Sequence, residues 1–192
     1  MSKSKALKVF ICMLSIVLCL MAIISGYGIG KRSVYPVAYS DYIIKYAHKN
    51  DLDVFLVMAV IKQESNFVPE ASSPYAQGLM QLTKETAAWN AKQMGLSDYD
   101  YIDPETNIKI GCHYLKYLID RYENIDTALA AYNGGMGNVD KWLNDPDCSL
   151  DGKTLYYIPF PETRGYIEKV NKYWKNYKSL YSNIENSGLQ FM

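Results

Sequence analysis

Glu64 is the side chain in this sequence best placed for acid–base chemistry. It closes a segment of eight consecutive apolar residues, Val54 to Ile61, followed by Lys62 and Gln63. On a helix, Glu64 shares a face with Val57, Val60 and Ile61, seven, four and three residues back. A carboxyl on an apolar face loses water, which disfavours its charged form and raises its pKa. Such a group can give a proton to a leaving oxygen near neutral pH and afterwards act as a base. Asn66, Pro69, Ser72, Ser73 and Pro74 then mark a loop, which leaves the carboxyl open to a substrate. A solvated Glu at a helix end is the plainer reading of the residue alone, so the rest of the chain must decide.

The elements that would position Glu64 read as helical almost throughout. Residues 37–49 put Tyr39, Tyr42, Ile43 and Tyr46 on one stripe. Asp53 is an N-cap for the segment 54–64, and length favours a helix there over a buried strand. Thr83 caps a helix over 84–94, ended by Gly95. Asp103-Pro104 starts the next, which carries Ile108, Cys112, Leu115, Leu118, Ile119 and Tyr122 at helical spacing. Asp126 is read as the cap of a short helix over 127–132, broken by Asn133-Gly134-Gly135. A short piece at 138–143 and a last helix over 162–180 follow, the latter with Tyr166, Val170, Tyr173, Trp174 and Tyr177 inward. No strand pair stands out, although 155–158 can be extended. The expected fold class is all-α, or α with minimal β, in one compact domain over 37–182 with a tail at 183–192.

Four motifs stand in order along this domain. They are Gln63-Glu64-Ser65-Asn66-Phe67, Gly78-Leu79-Met80-Gln81-Leu82, Ala131-Tyr132-Asn133-Gly134-Gly135 and Pro161-Glu162-Thr163-Arg164-Gly165-Tyr166. Each is weak alone; together, over roughly residues 37–180, they are specific. Here the chain resembles the soluble-lytic-transglycosylase-like (SLT) family of peptidoglycan lyases, whose fold is similar to goose-type lysozyme. The resemblance implies that Glu64 is the sole catalytic acid and base and that Ser65 hydrogen-bonds and orients it. It implies that Met80 and Gln81 line the sugar groove, that Tyr132 and Asn133 face the glutamate, and that Tyr166 lies near the catalytic centre. Glu162 and Arg164 would hold the last helix. The family usually has Ala where this chain has Gly134, a change expected to alter turn flexibility more than chemistry. The residue types agree with a glycan groove, which needs aromatic faces for sugar rings and amides for their polar groups; Tyr132, Asn133, Gln81 and Tyr166 supply both.

Most glycosidases use two carboxylates. No second one is evident: Asp51 and Asp53 look like loop and capping residues, and the spacing of Glu70 and Glu85 gives them no role. A lone acid/base fits a substrate-assisted route. In the route the resemblance implies, Glu64 protonates the oxygen between N-acetylmuramic acid and N-acetylglucosamine while the acetamide stabilises the cationic centre. Glu64 then takes the C6 hydroxyl proton as that oxygen closes a 1,6-anhydro ring. No metal or organic cofactor is expected. A lysozyme-like hydrolase on the same fold is the near alternative, and a non-catalytic peptidoglycan-binding scaffold a more distant one.

Residues 1–30 read differently. Val9 to Ile24 is apolar but for Ser15 and follows Lys3, Lys5 and Lys8. This is expected to be a signal anchor that leaves the catalytic domain outside the cytoplasm, with 31–36 as linker. Secretion after signal cleavage is the alternative. With Lys31 and Arg32, the N-terminal part takes five of the 20 basic residues and none of the 20 acidic ones. The remainder, with 15 basic against 20 acidic residues, has a formal charge of −5. That sign argues against a nucleic-acid partner and leaves glycan strands and the membrane as the expected ones. Cys112 and Cys148 are available to pair in an oxidising compartment, but spacing alone does not bring them together. His48 and His113 lack partners at ligand spacing, so no metal site is expected.

Overall fold

The structure is a computed structural model and describes residues 34–186, together with Met13, Ile16, Val17, Cys19 and Met21. The chain divides into two compact units, residues 1–36 and Val37–Met192. In the first, Met13, Ile16, Val17, Cys19 and Met21 are helical and exposed. Most of the anchor expected at 1–30 lies outside the described residues; of the tail expected at 183–192, residues 183–186 continue the last helix and the rest lies outside them. Among the described residues no helix is long and apolar enough to cross a membrane.

Among its described residues the second unit has seven helices and one small hairpin: α1 (Ser40–Lys49), α2 (Val54–Glu64), β1 (Ala76–Gln77), β2 (Leu82–Thr83), α3 (Lys84–Gln93), α4 (Pro104–Tyr122), α5 (Ile125–Gly134), α6 (Met136–Leu143) and α7 (Pro161–Asn186). Helix α2 is its central post. Every residue from Val54 to Ile61 is at most 2 % exposed. That explains the unbroken apolar run, because a helix buried on all sides has no polar face. Each large side chain so buried stabilises the fold by about 1.5–3 kcal/mol. The Asp53 carboxylate accepts from the amides of Phe55 (2.8 Å) and Leu56 (3.2 Å) and starts the helix. Its other oxygen lies 2.7 Å from Lys178 Nζ. Helix α7 packs along α2 and also against α5, α4 packs on α5 and α1, and α3 packs on α4.

Several boundaries depart from the expectations. The cap of α5 is Asn124, whose Oδ1 accepts from Thr127 N (2.9 Å), and not Asp126. Asn133 and Gly134 do not break α5, which runs through both until Gly135 at φ 83° turns the chain into α6. Residues 155–158 form no strand. The chain does hold an antiparallel pair, Ala76 opposite Thr83 and Gln77 opposite Leu82. Two-residue strands are too short to show alternation in a sequence. Cys112 and Cys148 are buried free thiols and form no disulfide.

Candidate active site

Glu64 is the last residue of α2, where the helix emerges from the core. The carboxyl is largely buried but keeps an opening to solvent. Burial raises its pKa from the ordinary 4.5 to about 7, against the opposing pull of one hydrogen bond from Tyr166. Tyr166 Oη donates to Glu64 Oε1 at 2.7 Å. Burial and the nearby carboxylate push the Tyr166 phenol well above its usual range, so it remains a donor. Among the described residues no second carboxylate acts on the charge of Glu64.

Helix α7 delivers that donor. Tyr166 is 4 % exposed and Thr163, one turn before, is 1 % exposed. Arg164 donates to the carbonyls of Ile158 and Pro159 and so ties the incoming loop to the first turn of α7. Thr163 Oγ1 donates to Asn133 Oδ1 at 2.8 Å, which joins α7 to the end of α5. Asn133 and Tyr166, with Gln63, Pro161, Glu162, Gly165 and Lys169, line a cleft of about 320 Å³, to which Glu64 is joined only through its bond from Tyr166. Gly134 belongs to this joint: a Cβ there would stand 3.1 Å from Thr163 Oγ1 and 3.4 Å from the Trp142 ring. Its lack of side chain therefore makes room for α7, whereas a flexible turn was expected.

Tyr132 is on the neighbouring turn of α5. Its hydroxyl donates to Met80 O at 2.8 Å, and its ring is 5.3 Å from Tyr114. Burial and the charge of Glu64 both raise its pKa well above the usual value. Its hydroxyl thus fixes the hairpin turn at Met80.

Ser65 and Met80 make contacts other than those the expected roles describe. Ser65 was expected to orient Glu64, but its Oγ donates to Ile61 O (3.2 Å) and accepts from Phe67 N (3.2 Å). A hydroxyl has one proton, so Ser65 closes the helix end, and the bond to the carboxyl comes from Tyr166. The closure holds Asn66 (φ 52°) and Phe67 (φ 64°) in the left-handed region, a cost of order 1–3 kcal/mol each, directly after the carboxyl. Met80 was expected to line the groove, but its side chain is fully buried against Gly111 of α4, where a Cβ would come within 2.3 Å of its Sδ. Its backbone carbonyl is what Tyr132 uses. Gln81, half-buried at φ 46°, donates through Nε2 to Ala71 O (2.9 Å) and Gly78 O (2.8 Å) and braces the loop around the hairpin.

Asn107 was missed by sequence reasoning. It is fully buried in the first turn of α4. Its Oδ1 accepts from Met80 N (2.7 Å), and its Nδ2 donates to Tyr101 O (2.7 Å) and Gln77 O (3.1 Å). Gly78 (φ 81°) passes so close that a Cβ would fall 2.3 Å from Asn107 Nδ2. The one available signal was an amide inside the apolar stripe of α4, beside Ile108.

Comparison with known proteins places this geometry among lysozyme-like folds. The family model for the transglycosylase SLT domain matches residues 41–151. A soluble lytic murein transglycosylase from Salmonella typhimurium is 38 % identical over 151 residues, covering 75 % of this chain and 23 % of that protein. The membrane-bound lytic murein transglycosylase F of Pasteurella multocida is 38 % identical over 154 residues, covering 72 % of this chain and 30 % of its own length. The crystal structure of the 70 kDa soluble lytic transglycosylase from Escherichia coli superposes with a TM-score of 0.68 at 33 % identity, over 78 % of this chain and 25 % of that one. An inactive glutamate-to-glutamine mutant of a lytic transglycosylase from Pseudomonas aeruginosa superposes with a TM-score of 0.67 at 32 % identity, over 76 % and 24 %. The chain thus spans about a quarter of the length of these larger relatives.

Proposed function

We propose, from the premise that the chain belongs to the transglycosylase SLT domain family, that it is a lytic transglycosylase cleaving peptidoglycan glycan strands with Glu64 as acid and then base. The observation that carries this reading is the mostly buried carboxyl held near pKa 7 with one phenol hydroxyl on Oε1. A carboxyl of that acidity is populated in both forms at neutral pH, as a group that must first give and then take a proton requires. The inactivity of the glutamate-to-glutamine relative supports the same role.

In the first step the protonated Glu64 gives its proton to the oxygen leaving C1 of N-acetylmuramic acid, and the C1–O bond breaks. The acetamide carbonyl of the same sugar stabilises the cationic centre. Glu64 is now a carboxylate, and Tyr166 stabilises it by donating at 2.7 Å. In the second step the C6 hydroxyl attacks C1, its proton passes to Glu64, and the 1,6-anhydro ring closes. The proton inventory of the enzyme is restored and no water is consumed. A single carboxylate suffices because the acetamide does the work of the second. Gln81, Asn133 and the ring of Tyr132 border the strand, while Ser65 and Met80 act through the backbone they shape.

The N-terminal unit has its own reading. The apolar run of residues 9–24 behind three lysines serves as a membrane anchor, and the catalytic domain at 37–182 works outside the cytoplasm. Helical Met13, Ile16, Val17 and Met21, each about half exposed or more, accord with that reading. Retention of the full chain in carbonate-washed membranes is expected; release as a shortened chain would replace the anchor with a cleaved signal.

Product analysis tests the chemistry. Sacculi digested with the protein should yield anhydro-muropeptides by mass spectrometry, and Glu64→Gln should yield almost none. Free reducing ends would make the enzyme a hydrolase, and binding without lysis a scaffold.

A further inference from the structure

Helix α4 carries functional residues on two faces. Asn107 and Gly111 meet the turn that holds Met80. His113, Lys116, Tyr117 and Asp120 lie roughly opposite, centred about 180° round the helix from Gly111 at 100° per residue. With Trp89 and Gln93 of α3 they line a second cleft of about 320 Å³. A glycan strand at Glu64 does not explain this cleft.

Its chemistry is specific. Trp89 is 38 % exposed on a helix otherwise polar or small on that side. The Tyr117 ring meets it edge-on at 4.7 Å and 62°, which holds the partly exposed indole in place. Lys116 and Asp120 pair with each other and leave no net charge to attract an ion. Asn90 fixes the histidine: its Nδ2 donates to Thr86 O (2.8 Å), so its Oδ1 is the acceptor for His113 Nδ1 at 2.7 Å. The imidazole proton is therefore on Nδ1 and Nε2 is left as an acceptor. Burial lowers the pKa of His113, which favours that neutral form. A rigid aromatic face, an imidazole acceptor, a primary amide and a self-neutralised ion pair together suit an uncharged ring with one apolar face and a polar rim.

We propose that the cleft between α3 and α4 is a second saccharide site, which takes an N-acetylhexosamine unit of a neighbouring glycan strand and holds the enzyme on its polymer. The choice of polymer rests on the proposed function; the site itself rests on the cleft.

The test uses the full chain carrying Glu64→Gln, labelled with fluorotryptophan, and chitotetraose as probe. The protein has three tryptophans, and Trp89→Phe identifies the Trp89 fluorine signal. That signal should shift saturably with chitotetraose. In the same background Trp89→Ala should weaken retention on sacculi roughly fivefold or more, as loss of an anchoring tryptophan does. With Glu64 present, Trp89→Ala should cleave short soluble glycan strands at the normal rate. A Trp89 signal unmoved by chitotetraose overturns the proposal, as does a shift produced by free stem peptide alone. Undiminished sacculus retention by Trp89→Ala also overturns it. Absence of any glycan cleavage by the unmutated protein would instead refute the proposed function, which the fluorine titration does not depend on.

Discussion

Replacing Glu64 by Gln should stabilise the protein at alkaline pH and leave its stability nearly unchanged in acid. In the fold the carboxyl keeps its proton up to about pH 7; unfolded, it loses it near the ordinary 4.5. Between those values the unfolded chain binds fewer protons than the native one, so stability falls as pH rises through that window. Above it the penalty is complete, at about 3 kcal/mol; below it the penalty is absent. Glutamine cannot ionise, and its Oε1 can still accept from Tyr166. The mutant therefore escapes a cost that is a sizeable part of a typical 5–15 kcal/mol of stability. Urea unfolding of the full chain, followed by tryptophan fluorescence at pH 4 and pH 8, reads the difference. The advantage of the mutant should be near zero at pH 4 and about 3 kcal/mol at pH 8, with unchanged denaturant slopes. An advantage independent of pH, or a mutant less stable at pH 8, would refute the claim that this carboxyl is ionised at a cost.

Tyr166→Phe removes a donor that favours the charged form of Glu64, so the alkaline limb of the pH–rate profile should move to higher pH. Turnover on sacculi should fall about tenfold or more, the value of a hydrogen bond to a charged group. Asn107→Ala leaves Met80 N, Gln77 O and Tyr101 O without their partner and should cost about 3 kcal/mol in denaturant unfolding. Its activity loss should follow from a displaced hairpin and appear in KM as well as kcat. Asp53→Ala removes the cap of α2 and the partner of Lys178 and should cost about 1 kcal/mol in thermal or urea unfolding. Its pH–rate profile should not move, because the cap lies at the far end of α2 from the carboxyl.

Local chemistry is what the sequence made readable. Asp53, Thr83 and Asp103-Pro104 announce helix starts through bonds made within three residues, and the structure has helices at all three. The apolar run of α2 places Glu64 by arithmetic alone. What escaped depends on contacts between distant segments. The hairpin is held by Asn107 and Gln81 rather than by strand propensity, so no alternation records it. Asn124 and Asp126 are equally good caps by type, and only the packed start of α5 chooses between them. Met80 appears at a motif position that suggests a groove, yet Gly111, 31 residues on, receives its side chain. Ser65 has one proton, and no pattern of letters says which acceptor takes it.

The bond between Tyr166 and Glu64 joins residues 102 positions apart. It therefore forms late in the life of each new chain. In the unfolded chain the carboxyl is in water and is an ordinary acid, ionised at neutral pH and a poor proton donor. Completion of the fold is what arms it. A proton donor of this acidity is therefore a property of the finished fold, absent from the chain until α7 is in place.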